Sequence, residues 1–390
     1  MKLSVIDLGL KVFKWISRKQ YFQMSEERLK EEMEFLNSLQ EPEDDIERSY
    51  NQYLCKMFHM NILFRILLNI TAFVLFLPTL VFLRCRTVTK HEGVTDAVYI
   101  LSENNKNLLS AGLRQRYPRI IFNGGASKMI LRSRDVAFIR SILRKKPGAL
   151  FFVFKILLKI ALYRSIIEQY NPSAIITSSE YSFLSSALTA YCETEKLEHI
   201  DVMHGERYLE IESGFFRFTY CYVWLEYYVY IFHKLRAYPD QFLIECPPAL
   251  SIDGTSRSMT EKTADFTYYL TEHTPEELRD ISRNMNALLK EGYAVKVRPH
   301  PRYCTFDIAV KYFEKEMLED NGKISIESSL AATKRVIGIN STVLLQGHLS
   351  GKEVVLDDRV YNERIRILKV YEYIILNGEI PVKYLSEYLV

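Results

Sequence analysis

The sequence predicts an α/β protein with two parallel-sheet domains facing a cleft and a helical extension in front of them. Short apolar runs alternate with helix-like periods over residues 95–246 and again over 263–390. Such alternation favours parallel strands joined by crossover helices. A segment rich in Pro, Ser, Thr and Gly, residues 247–262, lies between the two regions and is typical of an interdomain linker.

Composition limits the classes of function. The chain has 390 residues, 48% of them hydrophobic and 25% charged, which is typical of a globular protein. Its net charge of +3 argues against a nucleic-acid-binding protein. The six cysteines are scattered without a CxxC pair, which favours a reducing compartment over a disulfide framework or a zinc ribbon.

The extension, residues 1–94, is predicted to be helical. Ser25 is placed to cap a helix that the segment 41–45, Glu-Pro-Glu-Asp-Asp, then breaks. The first 15 residues include basic side chains but no small-residue cleavage site, so we predict no signal peptide.

An apolar run over residues 66–83 ends the extension. Its 18 residues are at the lower limit for spanning a bilayer, and Arg65, Arg84 and Arg86 bracket it. The run fits a membrane span, a helix lying in the membrane interface, or a buried core helix. If it spans, the positive residues after it favour a cytoplasmic location for the rest of the chain.

In the first α/β region the predicted strands are 96–101, 119–122, 174–177 and 199–203, with a turn at Asn123-Gly124-Gly125 and a helix over 183–195. A basic, apolar stretch over 132–164 has two interpretations: a surface for anionic lipid, or a helix pair with a solvated basic face. In the second region the predicted strands are 265–270, 294–297, 336–339 and 353–356, and the predicted helices are 275–291, 305–319 and 343–349.

The sharpest motif is the segment 296–302, Lys-Val-Arg-Pro-His-Pro-Arg, directly after a predicted strand. Prolines on both sides of His300 stiffen the loop, and Arg298 and Arg302 add permanent cations. Ligands of parallel sheets bind beyond the carboxyl ends of the strands, where this loop lies. The pattern therefore indicates a phosphate or carboxylate site rather than a solvated surface turn.

A second motif, Asn340-Ser341-Thr342, falls between a predicted strand and a predicted helix. Helix N-termini offer free backbone N–H groups to phosphate, and the two hydroxyls add donors. Taken alone, the motif fits an ordinary helix cap equally well. Together with the His300 loop on the same sheet edge, it favours a shared phosphate site.

A third motif, His204-Gly205-Glu206, follows a strand of the first region. His204 or Glu206 could accept a proton from an acceptor hydroxyl, although a histidine bonded to a neighbouring backbone group is the plainer alternative. Glu180 and Glu272 also follow strands and could contact a substrate. The sequence has no DxD motif, P-loop or GxGxxG motif, and we predict no metal site.

These residues resemble motifs of a known enzyme group. The segment 298–302 resembles the His-Pro motif of bacterial sialyltransferases and related capsule and lipooligosaccharide glycosyltransferases, and Ser341-Thr342 resembles their Ser/Thr motif. In those GT-B enzymes, which have two Rossmann-like domains, both motifs bind the CMP part of the donor. The CDP-glycerol glycerophosphotransferases share both elements, and His204-Gly205 resembles their catalytic His-Gly pair. The acidic Asp/Glu-Asp/Glu-Gly motif of sialyltransferases is not visible here.

The resemblance spans roughly residues 95–360 and implies an inverting, metal-independent glycosyltransferase. It would move sialic acid or a related nonulosonate from a CMP-activated donor to a surface glycan or glycolipid, with no separate cofactor. His204 or Glu206 would act as base, and His300 would stabilise departing CMP. The implied donor-binding residues are Arg298, His300, Pro301, Arg302, Asn340, Ser341 and Thr342. The expected location is the cytoplasmic face of the inner membrane, peripheral or single-span.

Three alternatives stay open. A CDP-polyol phosphotransferase would share the donor motifs, and a transferase using a nucleotide diphosphate sugar would place the diphosphate on the helix at Ser341. A non-catalytic scaffold of a polysaccharide assembly complex would bind a glycan without releasing nucleotide.

Overall fold

A computed structural model describes residues 24–123, 129–250 and 264–389 of the chain. Within these ranges the chain forms two compact units. The first runs to His204 and continues over Leu209–Cys246, and the second comprises Gly205–Tyr208 and the chain from Pro247 onward. The signal-peptide prediction, the Gly124-Gly125 turn and most of the predicted linker fall outside the described residues.

The first unit opens with three helices, α1 (Glu26–Ser38), α2 (Asp45–Met57) and α3 (Ile62–Arg84). A side chain caps each of them, as the sequence predicted for α1. The Ser25 hydroxyl accepts from the Arg28 N–H at 3.2 Å, and the Asp44 carboxylate accepts from Ile46 N–H at 2.9 Å. Such caps satisfy N–H groups that have no partner inside the helix, so they fix where each helix begins.

Helix α3 contains the whole apolar run. It is the one helix in the described ranges that is long and apolar enough, by length and composition, to cross a membrane. Only Ala72 and Leu83 of its side chains are buried, while most of its large apolar residues are exposed. This exposure contradicts the buried-core-helix alternative and is compatible with membrane association.

A six-stranded, wholly parallel sheet forms the centre of the first unit, with strand order β2-β1-β3-β4-β5-β6. The strands are β1 (Ala97–Tyr99), β2 (Ile120–Phe122), β3 (Ala174–Thr177), β4 (Glu198–Val202), β5 (Tyr220–Val223) and β6 (Phe242–Ile244). The first four correspond to predicted strands. The strands β5 and β6 were not predicted; the aromatic-rich stretch around β5 shows no alternation.

The crossover helices of this unit are α4 (Ala111–Arg116), α5 (Ser133–Lys145), α6 (Leu150–Tyr170), α7 (Ser185–Thr194) and α8 (Glu226–Lys234). The basic stretch thus folds as the helix pair α5 and α6. Arg164 of α6 is fully buried and bonds to Asp135 at 2.8 Å and to Glu195 at 2.6 Å. Part of the positive charge in this stretch is therefore neutralised inside the protein.

The second unit has a five-stranded parallel sheet with order β11-β10-β9-β7-β8. Its strands are β7 (Ala264–Tyr269), β8 (Val295–Arg298), β9 (Thr333–Gly338), β10 (Glu353–Leu356) and β11 (Val382–Tyr384). Its helices are α9 (Pro275–Lys290), α10 (Phe306–Ala309), α11 (Ile326–Ala332), α12 (Thr342–Leu349) and α13 (Asp358–Val370). The two parallel sheets confirm the predicted fold class.

One predicted helix of the second unit was wrong. A helix was predicted over 305–319, but α10 covers only its first turn and a short 3-10 turn follows at Lys315–Met317. Leu318 forms an isolated parallel bridge with Val297, and the Glu319 N–H donates to the Val297 carbonyl at 2.9 Å. Pairing with the edge strand β8 therefore holds the end of this segment extended, a tertiary contact that local periodicity does not reveal.

Candidate active site

A pocket of about 300 Å³ in the second unit joins the two loops that the sequence singled out. It is lined by Thr271, Glu272, His300, Tyr303, Asn340, Ser341, Thr342 and Arg364. The loops after β7, β8 and β9 and helix α13 contribute these residues. The three strands are neighbours in the sheet, so their carboxyl ends bring the loops together.

His300 is held as a hydrogen-bond donor. Its Nδ1 accepts from the backbone N–H groups of Arg302 at 3.0 Å and Tyr303 at 3.1 Å. A nitrogen that accepts two bonds carries no proton, so the neutral ring has its hydrogen on Nε2. Burial and the nearby Arg302 charge lower the pKa of His300. The Tyr303 ring stacks on the imidazole with centroids 4.7 Å apart, which further fixes its orientation.

Helix α12 presents its N-terminus to the pocket. Ser341 is its N-cap and accepts from the Val343 N–H at 3.3 Å, as the capping alternative requires. A hydroxyl can accept and donate together, so this bond leaves the Ser341 hydrogen available. The side-chain oxygen of Asn340 is buried and has no hydrogen-bond partner within the described ranges. The pocket thus offers hydroxyl and backbone donors beside a polar group that a ligand donor would satisfy.

The arginines that the sequence predicted for the site do not line the pocket. Arg298 does not line the pocket: it is buried against Glu319 at 3.1 Å and the Ile324 carbonyl at 2.8 Å, where it ties β8 to the following loop. Pro301 and Arg302 are exposed beyond the pocket lining. Arg364, which the sequence analysis missed, supplies the cation that lines the pocket. It comes from α13, after β10, a strand whose sheet position was not known from the sequence.

His273 supports the pocket from behind. Its Nε2 accepts from the Thr271 backbone N–H at 2.9 Å, and its Nδ1 contacts the Tyr361 hydroxyl. Burial, with smaller effects from Arg364 and His300, lowers the pKa of His273 to about 4. The ring is therefore neutral at physiological pH and holds the Thr271 loop in place.

His204 and Glu180 lie together in the first unit, at the carboxyl ends of β4 and β3. His204 Nδ1 is 3.9 Å from Glu180 Oε1, which is within ion-pair distance. The Glu180 side chain is fully buried, whereas the His204 side chain is 33% exposed. Asp201 fixes the neighbouring loop by accepting from the Ser179 N–H at 2.6 Å. The Glu180 carboxylate therefore lies where it can pair with the His204 ring.

Glu206 belongs to the second unit. Burial raises the pKa of Glu206 to about 8, and the Tyr373 hydroxyl offsets part of that rise. The carboxyl group is therefore mostly protonated at neutral pH, a state in which it cannot accept a proton. Glu206 is therefore the poorer of the two candidate bases.

Within the described ranges no group of three or more His, Cys, Asp or Glu side chains is arranged to hold a metal ion. Apart from the carboxylate of Glu272, the candidate site is made of neutral donors, one arginine and one helix N-terminus. Such groups bind an anion directly.

No protein-family profile matches the sequence, and no curated protein matches it significantly. Solved structures resemble it in fold. The wall teichoic acid polymerase TagF is 11% identical with a TM-score of 0.41, covering 74% of this chain and 76% of TagF. A TagF variant soaked with CDPG is 10% identical with a TM-score of 0.43, and the match covers 74% of this chain and 76% of that one. UGT89C1 of Arabidopsis thaliana, complexed with UDP-L-rhamnose, is 14% identical with a TM-score of 0.36. The match covers 74% of this chain and 78% of UGT89C1. Similarity at this level concerns the fold alone.

Proposed function

We propose that this chain is a glycosyltransferase that uses a CMP-activated sugar, sialic acid or a related nonulosonate. The acceptor would be a surface glycan or glycolipid at the cytoplasmic face of the inner membrane. The observation that carries the proposal is the pocket of the second unit, which is lined by His300, Ser341, Thr342 and Arg364. The motif resemblance of the same loops supports CMP as the nucleotide.

In the proposed reaction the donor phosphate lies among these groups. The acceptor oxygen bonds to the anomeric carbon with inversion, and the bond from that carbon to the phosphate oxygen breaks. Its electron pair leaves with CMP, where His300 Nε2–H, the α12 N-terminus and Arg364 stabilise the added charge. Donors that are already oriented toward developing charge lower the barrier most, because they need no reorganisation.

His204 is the proposed base. It would take the proton of the acceptor hydroxyl as the new bond forms, and the buried Glu180 carboxylate 3.9 Å away would stabilise the resulting imidazolium. Glu206, with its raised pKa, is a poorer candidate for this step.

Arg364 favours a second candidate, a CDP-polyol phosphotransferase. A cation in the same pocket as a helix N-terminus suits two linked phosphates, and attack of an acceptor hydroxyl on the outer phosphorus would also release CMP. The two functions differ in the bond that breaks, carbon to oxygen in the first and phosphorus to oxygen in the second.

Purified full-length protein should be assayed for CMP release from CMP-sialic acid and from CDP-glycerol, with and without glycan acceptors. We expect release from CMP-sialic acid that His300→Ala abolishes and His233→Ala, an exposed histidine of the first unit, leaves unchanged. Release from CDP-glycerol alone would replace the first candidate by the second. Release from neither donor, with every acceptor tried, would favour the non-catalytic scaffold.

A further inference from the structure

Helix α3 carries a large exposed apolar face. Eleven of its large apolar side chains are between 45% and 71% exposed, with Ile70, Phe73, Val74 and Leu77 near the middle of the helix. Soluble monomers rarely leave so continuous an apolar surface in water. The face therefore has a partner that is itself apolar.

The opposite face of α3 is fastened to the first unit along its whole length. Near its start, the Arg65 guanidinium donates to the Met60 carbonyl at 3.0 Å. In its middle, the Asn69 side-chain oxygen accepts from the Phe151 N–H of α6 at 3.0 Å. At its end, the Leu83 carbonyl accepts from the Leu131 N–H at 3.1 Å. The bonds at its middle and its end join α3 to segments distant in the chain, so the helix lies along the surface of the first unit.

Positive charge surrounds the exposed face. The segment 61–90 contains Arg65, Arg84, Arg86 and Lys90 and neither Asp nor Glu. On α6, the helix that contacts α3 at Phe151 and Phe154, Lys155 and Lys159 lie four residues apart and so share one face. The described ranges contain no ion pair from either lysine. This charge pattern complements phosphate groups at the edge of an apolar phase.

We propose that α3 lies flat in the interface of an anionic phospholipid membrane and does not cross it. Its exposed face would enter the acyl boundary, with Lys155 and Lys159 at the headgroup phosphates. A spanning α3 would carry the part of α6 that contacts it at Phe151 and Phe154 into the hydrocarbon core, and with it the adjacent Lys155, whose charge is costly there. The proposal refines the membrane location within the proposed function but rests on α3 and α6 alone, so it can fail or hold independently of any transferase activity.

Vesicle flotation of the full chain tests the partner. We expect binding to phosphatidylglycerol-containing vesicles to weaken about 30-fold in Lys155→Gln/Lys159→Gln. The matched control Lys30→Gln/Lys290→Gln, which changes two exposed lysines on other helices, should bind as the unmodified protein does. Ile70→Glu/Phe73→Glu should abolish vesicle binding. Unchanged vesicle binding in Ile70→Glu/Phe73→Glu would overturn the proposal. So would a variant that loses self-association or a protein partner while its vesicle binding stays the same.

Cysteine labelling tests the orientation. Cys85 is exposed at the C-terminal end of α3 and is a natural reporter. Ile62→Cys adds a reporter at the other end, and Cys246→Ser removes the other exposed thiol of the described ranges. In inside-out membrane vesicles an impermeant maleimide should label both ends, and in right-side-out vesicles neither. Opposite accessibility of the two ends would show a membrane span and refute the flat orientation.

Discussion

Replacing His300 separates two roles of its ring. The ring donates into the pocket through Nε2 and shapes the loop by accepting from Arg302 and Tyr303 through Nδ1. His300→Ala removes both roles. His300→Asn keeps a side-chain oxygen near the position of Nδ1, and so preserves the loop, but its amide does not reach the position of Nε2.

The expected loss follows from the donor role. Removing one preoriented donor from developing negative charge lowers kcat by about 10²- to 10³-fold. We expect losses of that size in both His300→Ala and His300→Asn, because both lack the Nε2–H donor. Thermal unfolding should change little, since His300 lies in a loop at the edge of the core.

The assay is CMP release at saturating donor, with thermal unfolding of each variant measured in parallel. A His300→Ala enzyme within about threefold of the unmodified rate would refute the donor role. Full activity in His300→Asn would show that the ring only shapes the loop.

Three further predictions concern the two units separately. Arg164→Leu should lower the free energy of unfolding by about 3–5 kcal/mol in urea titrations, because it leaves the buried Asp135 carboxylate without its ion-pair partner. The exposed Arg283→Leu should change it by less than about 1 kcal/mol. The Glu206 carboxyl keeps its proton to about pH 8 in the folded protein but releases it near pH 4.5 in the unfolded chain. The free energy of unfolding should therefore fall by up to about 1.4 kcal/mol per pH unit between pH 5 and 8, and Glu206→Gln should remove that slope. Arg364→Gln should weaken CMP binding, measured by calorimetry, about tenfold or more without lowering the melting temperature. The control is Arg366→Gln, at an exposed residue of the same helix, and equal CMP affinity in the two variants would contradict the role of Arg364.

The loops of the candidate site could be located from sequence because parallel sheets follow a strict local rule. Buried parallel strands are short apolar runs, and the polar residues after them lie at one edge. The rule placed the loops of His300 and Ser341 correctly, and the structure brings both into one pocket. It also placed His204 and Glu180 after neighbouring strands.

The remaining features depend on contacts between distant residues. Arg298 and Arg302 flank His300 equally in sequence, yet only the fold shows that Arg298 turns inward to Glu319, a partner 21 residues away. Arg364 enters the pocket because α13 packs beside the sheet, and no local pattern marks it. The failed helix over 305–319 has the same cause, since its end pairs with β8.

The central claim is that the second unit holds a cytidine-nucleotide donor, and a nucleotide panel in thermal unfolding tests it most directly. Ligand at 100 times its Kd stabilises the folded state by about 2.7 kcal/mol, which is enough to raise the melting temperature measurably. We expect CMP and CDP to raise the melting temperature of the unmodified chain and to raise that of His300→Ala by less. Preferential stabilisation by UDP or GDP, or by no nucleotide at all, would contradict the claim.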